Sequence, residues 1–385
     1  MKKQTLRATL LAAALLPQGA AYAMPPAADA DCIRTSDFSA SNDGDAAGIR
    51  LGKFSEAMRE QAIPGAQLIH ARQGAYQAYC HGVMSNESGK EVTGKTVFQA
   101  ASLSKVVAAY ITLRFVDQGK IDLDTPLWNY WQSPRTRDNA LAMKVTARMV
   151  LNHTTGLPNW QISPSNPAID DTPLVNEFAP GERFQYSGEG FYLLQNTLEH
   201  LAGMRWEELA EREVFARFDM PSSSFHTLAA FDAFNSTGHE QDGTVRSARV
   251  FPKENTAWTL VTNAHDYNNF IQGGLYKGEG LKPSTHGMML ARSSNADDKS
   301  VPNPADPFID WGLGVGIQST EGRKLVWHWG DNPGFKAFFA LDPATGESIV
   351  LFTNSENGPS TYKEVLELFM GEGEYPAVDW ASAHS

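Results

Sequence analysis

The chain has 385 residues, of which 42% are hydrophobic and 20% charged, and a formal net charge of −12. This length and composition suit a folded protein with one large core or two lobes. An acidic chain without basic clusters argues against nucleic acid and anionic membrane surfaces as partners.

Residues 1–23 read as a secretory signal peptide. Lys2, Lys3 and Arg7 form its positive region, Ala8 to Leu16 its apolar stretch, and Ala21-Tyr22-Ala23 a small-x-small cleavage site. The mature protein is therefore expected to be periplasmic or secreted after cleavage near Ala23. No lipobox precedes Cys32, and no later run approaches the ~18 apolar residues of a membrane span. Residues 24–44, rich in Ala, Pro, Asp, Ser and Gly, read as a linker before a domain over 45–385. Cys32 and Cys80 are the only cysteines. In an oxidising compartment they form a candidate disulfide; the alternative is two free thiols.

Residues 51–62 predict an amphipathic helix that ends before Pro64-Gly65. Ala66 to Ala71, a Gln73-Gly74 turn and Ala75 to Cys80 predict a β-hairpin. Gly89-Lys-Glu-Val-Thr-Gly-Lys-Thr96 then matches the phosphate-binding pattern of a P-loop at every position. A working P-loop follows a buried apolar strand and opens a helix, whereas polar, turn-like residues precede this one. The segment is read instead as a loop leading to a strand around Val97-Phe98.

From Ala100 to Leu113 the chain is almost wholly apolar or small, and Lys105 is its only charge. A helix here should be buried on every face and should stop at Gly119. A lone buried lysine is costly unless it is put to use. Ser102 lies three residues earlier on the same face. A lysine that has lost proton affinity through burial is suited to help deprotonate that serine. Ser360-Thr-Tyr-Lys363 has the same spacing, but among ordinary surface residues behind a Gly-Pro turn, and is read as accidental.

Residues 126–289 read mostly as helices and long loops. Leu325 to His328, Phe335 to Leu341 and Ser348 to Thr353 read as strands. Strands at both ends of a helical middle suggest an α/β (α+β) lobe, about 45–125 plus 290–385, with a largely helical lobe over about 126–289.

Several downstream segments fit the Ser102-x-x-Lys105 pair in order. They are Leu151-Asn-His-Thr-Thr-Gly-Leu-Pro158, Pro180-Gly-Glu-Arg-Phe-Gln-Tyr-Ser-Gly188, His328-Trp-Gly330 and Asp331-Asn-Pro-Gly-Phe335. From about residue 50 to about 360 the chain resembles the penicillin-binding-protein-like serine hydrolases. These include class C β-lactamases, D-alanyl-D-alanine carboxypeptidases, D-aminopeptidases and β-lactamase-like carboxylesterases. The resemblance implies a β-lactamase/transpeptidase-like fold, an antiparallel sheet flanked by helices. It also implies that Ser102 is the acylated nucleophile, with Lys105 its proton partner. Tyr186 would open the family's Tyr-x-Asn motif, and His328 would stand where the family has Lys or His before x-Gly. The backbone N–H groups of Ser102 and Asp331 would form the oxyanion hole. A phenolate at Tyr186 would need nearby cations, for which Lys105 and a protonated His328 are the candidates. Which group takes the serine's proton is left open.

Gly188 stands where β-lactamases and carboxypeptidases of the family carry an Asn for the substrate's acylamide. His328 replaces a lysine that helps hold a carboxylate. Both departures point away from efficient β-lactam hydrolysis and towards small esters or D-amino-acid amides and peptides. Trp160, Trp329 and Phe335 are candidates for a hydrophobic acyl pocket beside Gly188 and Gly330. The alternatives are a β-lactamase or carboxypeptidase, and a catalytically silent protein that binds cell-wall peptides. His153 is read as structural, a turn residue that ties its loop by hydrogen bonds. The remaining histidines lack metal-ligand spacing, so neither a metal nor another cofactor is expected.

Overall fold

The computed structural model describes residues 32–33, 46–248, 250–299 and 301–384. The predicted leader lies outside these residues, as does the 24–44 segment apart from Cys32 and Ile33.

Among the described residues ten strands form: β1 (Gly65–Arg72), β2 (Ala75–Gly82), β3 (Phe98–Ala101), β4 (Leu260–Thr262), β5 (Ser294–Asn295), β6 (Ile309–Trp311), β7 (Gly316–Thr320), β8 (Arg323–Asn332), β9 (Phe335–Leu341) and β10 (Ser348–Thr353). Eight of them make one antiparallel sheet in the order β2-β1-β10-β9-β8-β7-β6-β5, while β3 and β4 pair separately. The predicted hairpin is β1–β2. Its two turn residues, Gln73 and Gly74, have φ of 53° and 79°, the paired left-handed conformation whose twist matches the strands. The N-terminal hairpin joins the C-terminal strands through β1 and β10, with Ala66 opposite Thr353.

The helices are α1 (Ala46–Glu60), α2 (Ser104–Asp117), α3 (Ala147–Leu151), α4 (Gly188–Ala202), α5 (Trp206–Ala210), α6 (Ala264–Phe270), α7 (Pro283–Met289), α8 (Tyr362–Met370) and α9 (Pro376–Ala383). Strands β9 and β10 are buried along their whole length, which explains their nearly continuous apolar sequences. Alternate residues serve the two faces. Leu68, Trp327, Phe338 and Leu351 pack with α1, α8 and α9. Ile69, Val326, Phe339 and Val350 pack into the larger core that contains α2, α4 and α6. Helix α6 rests on β1 and β10. The apolar run from Ala100 is divided by a turn: β3 ends at Ala101 and α2 starts at Ser104. As expected, α2 is buried almost all round and is followed by Gly119 at φ 70°.

The candidate disulfide is present between Cys32 and Cys80. Ile33 donates to Ala78 and accepts from Cys80 at 2.9 and 3.2 Å, so this segment lies along β2, the outer strand of the sheet. Residues 89–96 form a loop that leads into β3, and the next helix begins only at Ser104. The P-loop pattern there lacks its helix. Lys363 of the second Ser-x-x-Lys match is exposed and pairs with Glu367. No described helix is long and apolar enough to cross a membrane.

Candidate active site

The approach to Ser102 is irregular for a reason visible in the backbone. The β3–β4 register shifts between Gln99 and Ala101, and Ala101 sits at φ 48°. A left-handed alanine costs roughly 1–2 kcal/mol. Ser104 holds this conformation, with its Oγ donating to the Ala101 carbonyl at 2.5 Å and accepting from Leu260 N at 3.0 Å. The chain then turns into α2, Lys105 N donating to the Ser102 carbonyl at 3.0 Å. That turn brings Lys105 Nζ to 3.1 Å from Ser102 Oγ, and Nζ also donates to the Ala257 carbonyl at 2.7 Å. Lys105 is 1% exposed. Burial pushes its ammonium well below the usual lysine range.

Tyr186 covers this pair. Lys105 Nζ lies 4.8 Å from the centre of its ring. The ring also stacks on His153 at 4.3 Å, and Trp329 is 4.8 Å away. The Tyr186 hydroxyl is buried beside Ser102 without making a hydrogen bond of regular geometry. Burial, reinforced by the negative charge of Asp331, raises its pKa above the ordinary value of 10.0, and the contact with Ser102 opposes the rise. His153 ties the loop as expected: its Nδ1 accepts from Ser187 N at 3.1 Å and its carbonyl accepts from Gln185 N at 2.8 Å. It has a left-handed φ of 56°. Its role as a platform under Tyr186 was not anticipated, and no local sequence signal marks it.

His328, on β8, is fully buried, and its ring lies 6.2 Å from that of Tyr186. Its Nδ1–H donates to the Trp329 carbonyl at 2.7 Å, which leaves Nε2 as the unprotonated nitrogen. Burial first, then the charge at Lys105, lowers its pKa to about 3, against the effect of that hydrogen bond. Burial thus favours the neutral imidazole over the protonated form in which His328 was a candidate cation.

Gly330 explains how β8 reaches the nucleophile. A Cβ there would lie 2.3 Å from the Ala100 carbonyl, so only glycine lets β8 abut the strand that delivers Ser102. Asn332 fastens the contact, its Nδ2 donating to Gln99 Oε1 at 2.9 Å and to the Trp258 carbonyl at 3.3 Å. The Asp331 carboxylate is held by buried Lys336, which also pairs with Glu356.

The aromatic residues expected to form one acyl pocket separate. Trp329 is 2% exposed and belongs to the core between the sheet, α8 and α9, so it supports Tyr186 from beneath. Phe335 lines a cavity of about 330 Å³ with Val97, Gln99, Phe231 and Val250, and none of Ser102, Lys105, Tyr186 and His328 lines it. Trp160 alone of the three packs on the first residue of α4, two positions after Tyr186. Its indole covers Gly188, with ring carbons 2.5–2.8 Å from where a Cβ would be. Behind it, Arg135 and Glu189 form a buried two-bond ion pair at 2.8 and 3.1 Å. Neither that pair nor the Ala257 carbonyl has a signal in the local sequence.

Residues 52–368 match the Beta-lactamase family. The chain belongs to that family. This β-lactamase-family serine hydrolase is 22% identical over 344 residues to penicillin-binding protein 4 of Amycolatopsis lactamdurans, covering 83% of this chain and 88% of that one. It is 30% identical over 158 residues to esterase EstB of Burkholderia gladioli, covering 35% and 40% of the two chains. A solved class C β-lactamase superposes with a TM-score of 0.72 at 18% identity, covering 88% of this chain and 99% of that one. D-amino acid amidase from Ochrobactrum anthropi superposes at 0.70 with 21% identity and the same coverage. The fold is that of the β-lactamase/transpeptidase group, as the motif order implied.

Proposed function

We propose that this protein hydrolyses small esters or D-amino-acid amides through an acyl-Ser102 intermediate. The observation that carries the proposal is the Lys105 amine, stripped of proton affinity by burial and 3.1 Å from Ser102 Oγ. As the neutral amine, Lys105 accepts the Ser102 proton while Oγ attacks the substrate carbonyl. The resulting oxyanion is received by the backbone N–H groups of Ser102 and Asp331. Tyr186, kept protonated by its surroundings, gives its proton to the departing alkoxide or amine and regains one from the Lys105 ammonium. Water then attacks the acyl-enzyme while Lys105 takes its proton; as the acyl–Oγ bond breaks, Lys105 returns that proton to Ser102 Oγ, and the free acid leaves with both groups in their starting states.

Two features favour esters and simple amides over β-lactams and C-terminal carboxylates. Trp160 fills the space beside Gly188, and neutral His328 brings no positive charge to a substrate carboxylate. Export is part of the proposal: the leader ending near Ala23 and the Cys32–Cys80 disulfide both suit an oxidising compartment. The intact mass of the protein recovered from an expressing cell reads the cleavage directly.

The deciding experiment sets the mature protein beside Ser102→Ala on a short-chain p-nitrophenyl ester, a D-alanine p-nitroanilide and a reporter cephalosporin. Turnover of the ester or anilide should fall at least ~10³-fold in the variant. Retained turnover in Ser102→Ala sinks the mechanism. Cephalosporin turnover equal to the best of the others restores the β-lactamase alternative. Silence on all three, with no covalent labelling of Ser102, leaves a peptide-binding protein.

A further inference from the structure

The segment that carries Trp160 is built rather than draped. On one side of the indole, Asn159 accepts at its carbonyl from Gly188 N and Glu189 N at 3.1 and 3.0 Å, and at its Oδ1 from Gly188 N at 2.9 Å. On the other side, Gln161 N donates to buried Glu189 at 2.9 Å, and Arg135 holds that carboxylate in turn. Ser187 Oγ donates to the Pro158 carbonyl at 2.9 Å. The indole is thus fixed at both flanks against the first turn of α4.

That turn faces the reacting groups. Ser187 is extended, at φ −141° and ψ 120°, so positions 186 and 188 project to the same side, and Tyr186 on that side covers Lys105. One helical turn further, Phe191 lies on the Gly188 face, with its ring 5.8 Å from Lys105 Nζ. A side chain at 188 would therefore project towards the acyl group on Ser102. Trp160 occupies that space and leaves a flat apolar surface there.

We infer that Trp160 sets acyl specificity, admitting hydrocarbon acyl groups and rejecting those with an amide next to the reacting carbonyl. The inference rests on the acyl-Ser102 reading. The physical cause is desolvation: an amide N–H and C=O pressed against the indole face lose their water and gain no partner. Sites that leave such groups unpaired discriminate against them strongly.

Two p-nitrophenyl esters of matched shape isolate the effect. One is the N-acetyl-D-alanine ester; the other is the 2,4-dimethylpentanoate, in which CH₂ and CH–CH₃ replace NH and C=O. The wild type should favour the hydrocarbon ester by about 10- to 100-fold in kcat/KM. Trp160→Ala should shrink that preference at least tenfold, chiefly by raising kcat/KM for the acetamido ester, and Trp160→Phe should keep it. If Trp160→Ala fails to fold, Trp160→Gln reads the same property, because it restores a hydrogen-bonding partner at similar reach. A ratio near one in the wild type overturns the inference. So does a ratio unchanged in folded Trp160→Ala or Trp160→Gln. Wild-type enzyme inactive on both esters also overturns the inference; if the D-alanine p-nitroanilide is not turned over either and Ser102 takes no covalent label, the acyl-Ser102 reading falls as well.

Discussion

Lys105 and His328 are both placed where a charge is expensive, and the consequences differ. For Lys105 the consequence is catalytic. A base must be unprotonated to act, so kcat/KM should rise with pH through the depressed pKa of Lys105 and stay high beyond it. A pH–rate profile checks this, and activity that declines as pH rises through neutrality contradicts it. Lys105→Arg keeps a proton at every pH and should lose at least ~10³-fold in kcat across the whole range. For His328 the consequence is stability. Its folded-state pKa of about 3 lies below the ordinary 6.5. Between those values the unfolded chain binds a proton that the folded chain refuses, so stability rises with pH through this window. The contribution is complete above 6.5 and lost as pH falls towards 3. His153 acts in the same sense. Urea melts of His328→Gln between pH 3 and 7 should show a shallower acid decline than wild type. The Ser102–Lys105 pair was legible because one lysine interrupts an otherwise apolar run. The neutrality of His328 was not, since it depends on packing by Trp311 and Trp329 around the ring.

The site depends on where β8 passes β3. Gly330→Ala would place a methyl group 2.3 Å from the Ala100 carbonyl, so one strand must move and carry Asp331 away from Ser102. The expected result is a fall of about 10²-fold in kcat/KM with an unchanged far-UV spectrum; near-wild-type kinetics would show that β8 need not touch β3. Strands β8, β9 and β10 were legible because they are long and either alternate or run apolar throughout. Strands β5, β6 and β7 were not: at two, three and five residues they are too short to show a period. They exist because β8 offers a template. Trp160 over Gly188 was illegible as a contact for a related reason, being made between a loop and the first residue of α4, which the hydrogen bonds around the α4 cap bring together.

Across the whole molecule, the disulfide ties the first described segment to β2, the outermost strand of the sheet and three strands beyond β9. Closing that loop should contribute roughly 4 kcal/mol. Denaturant melts with and without reductant measure it, and kcat at low denaturant should not change, because Cys80 is remote in the sheet from β8. A shift in kcat equal to that of the active-site variants would contradict this placement. The pairing of β1 with β10 has a consequence in time. Ala66 meets Thr353 only after nearly the whole chain has been made. At about 5–20 residues per second, the hairpin waits roughly 15–60 s for its partner. Throughout that interval Leu68 on one face and Ile69 on the other lack the later elements that will cover them, so slowing synthesis lengthens the exposure instead of relieving it.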